Sequence, residues 1–210
     1  MYVLFQVMRN VTDILARFRG LVPSPTCSVQ PHLTSHDAFV SQFGEEPDRA
    51  AVSMHFVHPM RDEVHFYVLF AAQDESSKNI GKQGIVEYVE QFRELGATGG
   101  ILVVESNKSK RPITSMAVDV LQAEEIPIEI FEDTQLVFNA FMHDFQPQFE
   151  IVDPSKYAEI TSTFCALAQL PRMKPTDIVA RLLGVRRGMV VKMTDIVETS
   201  GVAVSYLYVQ

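Results

Sequence analysis

Leu4, Val7, Val11, Ile14, Leu15 and Phe18 recur at intervals of three and four, the spacing that gathers apolar side chains on one face of a helix. Gly20 and Pro23 end the pattern, so an amphipathic first helix is predicted over Tyr2 to Arg19. A second helical piece is predicted around His36 to Phe43, capped by Ser35, before Gly44-Glu-Glu-Pro-Asp48 breaks to the surface. Two strand candidates follow, Ala51 to Val57 and Val64 to Ala71, joined by the polar stretch His58-Pro-Met-Arg-Asp-Glu63, a loop of hairpin length. Ile80 to Leu95 returns to the helical period, with Ile85, Val86, Val89 and Phe92 on one face and Gly96 at its end. Gly100-Ile-Leu-Val-Val104 is an unbroken apolar run, as expected of a strand covered on both faces. A helix from about Pro112 to Ala123 and a strand from Ile126 to Phe131 complete the series.

Strands alternating with helices predict an α/β domain, residues 1–140, whose partly parallel sheet is flanked by helices. Residues 141–210 follow a different pattern. Thr176 is placed to cap a short helix, with Asp177 adding negative charge at the positive end of its dipole. Ile178, Val179, Leu182 and Leu183 share a face, and Gly184 supplies the left-handed residue that ends the helix. Arg186-Arg187-Gly188 reads as a turn into the β-rich run Met189 to Thr194. Glu198 to Gly201 reads as a second turn, into the alternating Val202, Val204, Tyr206 and Tyr208. The expected product is a small α+β module, a capped helix packed on a hairpin. The fold class is therefore α/β in the first domain and α+β overall.

Charge changes this picture by separating the two parts. Residues 1–150 carry 11 basic and 21 acidic side chains, whereas the remainder carries 7 and 5, within a chain of formal net charge −8. From Leu170 to Lys192, the cations Arg172, Lys174, Arg181, Arg186, Arg187 and Lys192 face Asp177 alone, a local net charge of +5 that suits an acidic partner surface. In the acidic domain one loop is basic: Glu105-Ser-Asn-Lys-Ser-Lys-Arg-Pro112, at the end of the buried strand, where open α/β folds present binding groups. Lys108, Lys110 and Arg111 there could meet phosphates without reading sequence.

Candidate chemistry adds little. Cys27 and Cys165 are the only cysteines and form no CxxC, so neither a disulfide framework nor a zinc ribbon is expected. His55 and His58 lie three apart in a strand-like run, which points their rings to opposite faces, and Pro31 argues against a helix presenting His32 and His36 together. No metal or cofactor site is predicted. Gly96-Ala-Thr-Gly-Gly100 precedes its strand where a phosphate-binding loop would follow it, and Ser35-His36-Asp37 are neighbours where a catalytic triad is assembled from separated positions. No apolar run reaches the length of a membrane span, and the segment after Tyr2 to Met8 lacks the pattern of a cleaved secretory signal.

The C-terminal string of Leu170-Pro-Arg, Asp177-Ile-Val-Ala-Arg181, Gly184-Val-Arg-Arg-Gly-Met-Val-Val-Lys192, Glu198-Thr-Ser-Gly201 and Tyr206-Leu-Tyr-Val-Gln210 resembles the C-terminal module of the fifth subunit of eukaryotic nuclear RNA polymerases, which archaea carry alone as a free-standing small polymerase component. Phe39-Val-Ser-Gln-Phe-Gly44 extends the likeness more weakly into the first domain. The resemblance implies a non-catalytic structural subunit of a DNA-directed RNA polymerase in the nucleus, or the nucleolus for an isoform dedicated to ribosomal transcription. Its C-terminal assembly module would dock on the largest subunit, beside neighbouring subunits, through Pro171, Arg172, Asp177, Arg181, Arg186, Arg187, Gly188 and Lys192. Its first domain would be a jaw that sets Lys108, Lys110 and Arg111 near downstream double-stranded DNA. Neither a homo-oligomer nor a membrane partner is implied. The sequence departs from the family where basic positions have become Asp195, Val202 and Leu207, which suggests a divergent paralogue, one serving a single polymerase class. Two other readings stay open: a diverged, nuclease-like nucleic-acid-binding protein, and an interaction adaptor outside the polymerase.

Overall fold

The computed structural model describes residues 2–27, 29, 33–45, 47–49, 52–71, 82–105, 120–121, 124–143, 145–163, 166–197 and 201–210. By backbone contacts the chain forms two compact units, Met1–Phe138 and Asn139–Gln210. The first unit runs α1 (Tyr2–Arg19), β1 (Val22–Pro23), α2 (His36–Phe43), β2 (Met54–His58), β3 (Arg61–Phe70), α3 (Lys82–Glu94), β4 (Gly99–Val104), β5 (Ile128–Glu132) and α4 (Asp133–Leu136). Its five strands lie in sequence order; β1, β2 and β3 are antiparallel, while β3, β4 and β5 are parallel. The α/β reading with a partly parallel sheet therefore holds.

Both faces of this sheet are covered, and strand alternation assigns the cover. Leu69, Ala71, Leu102 and Val104 pack with Ile85, Val89 and Phe92 of α3, and Val120 and Leu121 join the same cluster. Met54, Phe56, Val68, Phe70, Ile101, Val103 and Phe131 are buried on the other face. There α1 reaches the sheet through Arg19, whose guanidinium bonds Glu129 at 2.9 Å and lies 5.5 Å from the Phe66 ring centre. Every residue of β4 is buried, in keeping with its unbroken apolar run. Ser35 caps α2 by accepting from the Ala38 N–H at 3.2 Å.

The loop expected over residues 58–63 is a correction. His58 pairs with Arg61 across a two-residue turn, Pro59–Met60, and Arg61, Asp62 and Glu63 belong to β3. These three are exposed, so that end of the strand needs no apolar residues and reads as loop in the sequence. The predicted helix from Pro112 to Ala123 lies outside the described residues except at Val120 and Leu121, which are helical.

Further long-range polar ties join distant parts of this unit. Asn10 Nδ2 donates to the carbonyls of Leu136 at 2.9 Å and Val137 at 2.7 Å. Arg49 grips the Asp133 carboxylate in a two-pronged pair at 2.9 and 3.0 Å, and its Nε donates to the Ala71 carbonyl at 2.9 Å. Both side chains of that pair are nearly sealed from water.

The second unit contains β6 (Gln148–Ile151), α5 (Tyr157–Thr163), β7 (Arg172–Met173), α6 (Ile178–Leu183), β8 (Val190–Val197) and β9 (Gly201–Val209). Its sheet order is β6-β8-β9-β7, with β8 and β9 an antiparallel hairpin and β7 parallel to β9. Val152, Ile160, Leu170 and Val190 form one core cluster, with Tyr157, Leu167, Tyr206 and Tyr208 packed around them, and Ala180, Leu182 and Leu183 of α6 are buried as well. The Tyr157 hydroxyl accepts from the Val190 N–H at 3.0 Å, which ties α5 to the sheet.

The cap of α6 is a second correction. Asp177, not Thr176, is the capping residue, and its Oδ1 accepts from the Val179 N–H at 2.8 Å. Either side chain can fill the role, and the choice rests on which residue leaves the helix first; Asp177 is the extended one, at φ −61° and ψ 138°. At the other end Gly184 adopts φ 73°, the left-handed conformation that closes the helix.

Candidate docking surface

The arginine turn is held by backbone bonds on three sides. Met189 N–H donates to the Arg186 carbonyl at 3.1 Å, closing the turn, and Gly188 sits at φ 91°, open to glycine and strained for other residues. The Gly188 N–H then donates to the Val209 carbonyl at 2.9 Å, and the Val209 N–H donates to the Met189 carbonyl at 2.9 Å. On the far side of β9, Tyr208 N–H donates to the Pro171 carbonyl at 2.8 Å and Gln210 N–H to the Met173 carbonyl at 3.1 Å. Pro171 and Arg172 are separated in sequence from Arg186, Arg187 and Gly188 by α6, yet all five gather at one end of a single sheet.

Arg172, Lys174, Arg186 and Arg187 are exposed, and none has a carboxylate partner among the described residues. Four cations on a rigid backbone repel one another unless an anionic surface meets them. The remaining positions separate from this group. Asp177 is occupied as the cap of α6, and Arg181 is half-buried on that helix. Lys192 lies further along β8, where its Nζ stands 3.4 Å from Glu150 Oε2 in a groove also lined by Asp153, Lys156, Glu159 and Tyr206. Lys108, Lys110 and Arg111 lie outside the described residues; Glu105, just after β4, is exposed.

Sequence reading missed the one clustered pair of titratable rings among the described residues. His55 Nε2 and His65 Nδ1 stand 3.2 Å apart, diagonally across β2 and β3, and the His55 ring stacks on Tyr67 with centroids 4.3 Å apart. The signal was present: a β-hairpin brings residues ten apart within reach, but the register depended on the turn, which read as a longer loop. Burial, and then repulsion from His65, holds His55 below its ordinary value of 6.5. An unfolded chain therefore takes up this proton first as pH falls through 6.5, so stability present above that value is lost below it. Denaturation midpoints measured from about pH 8 down to about pH 5.5 should decline more steeply for the native chain than for His55→Gln; parallel curves would remove the pair from the pH response.

Among the described residues no group of three or more His, Cys, Asp or Glu could hold a metal ion, and no helix is long and apolar enough to cross a membrane. What the second unit presents is a small α+β module with a preformed cationic edge. Residues 138–209 match the family model described as RNA polymerase Rpb5, C-terminal domain. Similar proteins include the RPABC1 subunit of DNA-directed RNA polymerases I, II and III from Caenorhabditis briggsae, 27% identical over 98% of this chain and 94% of the relative. The subunit of the same description from Dictyostelium discoideum is 29% identical over 67% of this chain and 69% of its own. Subunit 5A of RNA polymerase V from Arabidopsis thaliana is 24% identical over 77% and 69%. The family match thus covers the second unit, and the likeness to these polymerase subunits extends along the chain.

Proposed function

We propose that this chain is a non-catalytic subunit of a nuclear DNA-directed RNA polymerase, anchored on the largest subunit by the cationic end of its C-terminal sheet. The observation that carries this reading is the Arg186-Arg187 turn: exposed, without a carboxylate partner among the described residues, and fixed by backbone bonds to both β8 and β9. A turn so constrained loses little conformational freedom on docking. Charge reversal of Arg186 and Arg187 to Glu should reduce co-assembly with the largest subunit by at least about tenfold while the module stays folded, because like charge across a contact costs several kcal/mol. Undiminished assembly would remove these residues from the interface.

In the same reading the acidic first unit serves as a jaw beside downstream DNA, with Lys108, Lys110 and Arg111 as its phosphate contacts. Support comes from the topology, since these residues follow in sequence the carboxyl end of parallel strand β4, where such sheets present ligand-binding groups. Neutralising the three should spare assembly and weaken salt-sensitive retention of DNA by the complete polymerase; equal retention at low salt refutes the contact. The substitutions at Asp195, Val202 and Leu207 support a paralogue dedicated to one polymerase class. Recovery of the chain at equal stoichiometry with every nuclear polymerase overturns that assignment.

A further inference from the structure

The distal half of the β8–β9 hairpin is built unlike its base. Ile196 is 81% exposed, its cross-strand partner Val202 67% and Val204 47%, all on one face of the ribbon. Among the described residues no neighbouring strand reaches this region: β6 pairs with β8 only up to Thr194, and β7 pairs with β9 only at Tyr208 and Val209.

Strand geometry shows where the free backbone groups point. Tyr208 and Gln210 donate their N–H groups toward β7, whereas Val209 donates toward β8. Successive residues of a strand alternate sides, so the N–H and C=O of Val202 and Val204 point away from β8, along the open edge. An apolar edge strand with unpaired backbone is a template for another strand. Charge restricts the occupant further. From Met193 to Gln210 the sequence holds Asp195 and Glu198 and no Lys or Arg, the reverse of the cationic base.

We infer that the outer edge of β9 at Val202 and Val204 receives an extended segment of the largest polymerase subunit as an added strand, with apolar residues at alternate positions and Lys or Arg beside them. This rests on the docking reading above but adds a second contact of opposite chemistry on the same module. The arginine turn would meet an acidic surface, and the hairpin tip an apolar, basic one.

The test uses the full chain, alone and reconstituted with the largest subunit. At a partner concentration about a hundred times the dissociation constant, the Val202 and Val204 amides should exchange with solvent about a hundredfold more slowly than in the free chain. Val204→Pro removes one outward donor without touching the β8–β9 ladder, and proline is tolerated on strand edges. It should weaken the complex at least about tenfold, one unit of 1.4 kcal/mol, while Val204→Thr, which keeps the donor, should not. The double variant Val202→Lys, Val204→Lys keeps every backbone group, adds like charge, and should weaken it similarly. Assembly with unprotected amides and unaffected variants overturns the added strand and leaves the arginine contact standing. Failure of the native chain to assemble overturns both. A free chain that dimerises, and loses the dimer in Val204→Pro, assigns the edge to a second copy and overturns the proposal.

Discussion

Asp133→Ala is expected to remove about 3 to 5 kcal/mol from the stability of the first unit, a large share of the roughly 5 to 15 kcal/mol that holds a domain folded. The substitution deletes both oxygens that Arg49 grips while leaving the guanidinium in place, only 14% exposed and tethered to the Ala71 carbonyl. A buried cation without its anion costs far more than the pair contributes, because the pair's attraction is largely spent on desolvation. The prediction is therefore asymmetric. Replacing Arg49 and Asp133 together with Met and Leu should restore most of the loss, and denaturant melts of the two single variants and the double variant measure it. A double variant as unstable as Asp133→Ala would place the energy in the start of α4, which Asp133 also forms, and not in the ion pair.

Gly100→Ala should cost about 2 to 3 kcal/mol, against the usual expectation that alanine is better than glycine inside a strand. A methyl group at this position would stand inside the edge of the Phe92 ring and 2.8 Å from the Tyr67 carbonyl oxygen. Phe92 is fully buried under α3, and the Tyr67 carbonyl belongs to the paired strand β3, so neither retreats freely. Thermal melts should show the loss, and pairing Gly100→Ala with Phe92→Leu should recover part of it. A stable Gly100→Ala chain would mean that α3 can lift from the sheet at little cost.

That glycine also shows what the sequence could convey. The run Gly96 to Gly100 resembles a phosphate loop in composition and fails by position; the structure supplies the reason for its last residue, which lets Phe92 close on the sheet. Apolar periodicity made α1, α2, β4 and the hairpin of the second unit legible, because each buries a face that its own residues declare. The arginine turn was legible as charge plus turn chemistry, but its convergence with Pro171 and Arg172 was not, since β7 meets β9 only through tertiary pairing. Arg49 and Asp133, 84 positions apart, leave no local trace at all. Glu63 and its neighbours misled for the opposite reason: a strand exposed on both faces is polar like a loop.

The bonds from Asn10 to Leu136 and Val137 span 126 and 127 positions, so the first helix completes its contacts only with the last elements of its unit. This has a consequence during synthesis. At roughly 5 to 20 residues per second, α1 leaves the ribosome about 6 to 25 s before the carbonyls that anchor it exist. Throughout that interval the face of Leu4, Val7, Met8, Val11 and Leu15, buried in the folded unit, lacks the cover that α4 supplies. A nascent chain stalled before Leu136 should therefore recruit chaperones through residues 4–15, and release them within one further stretch of about ten residues once β5 and α4 have emerged.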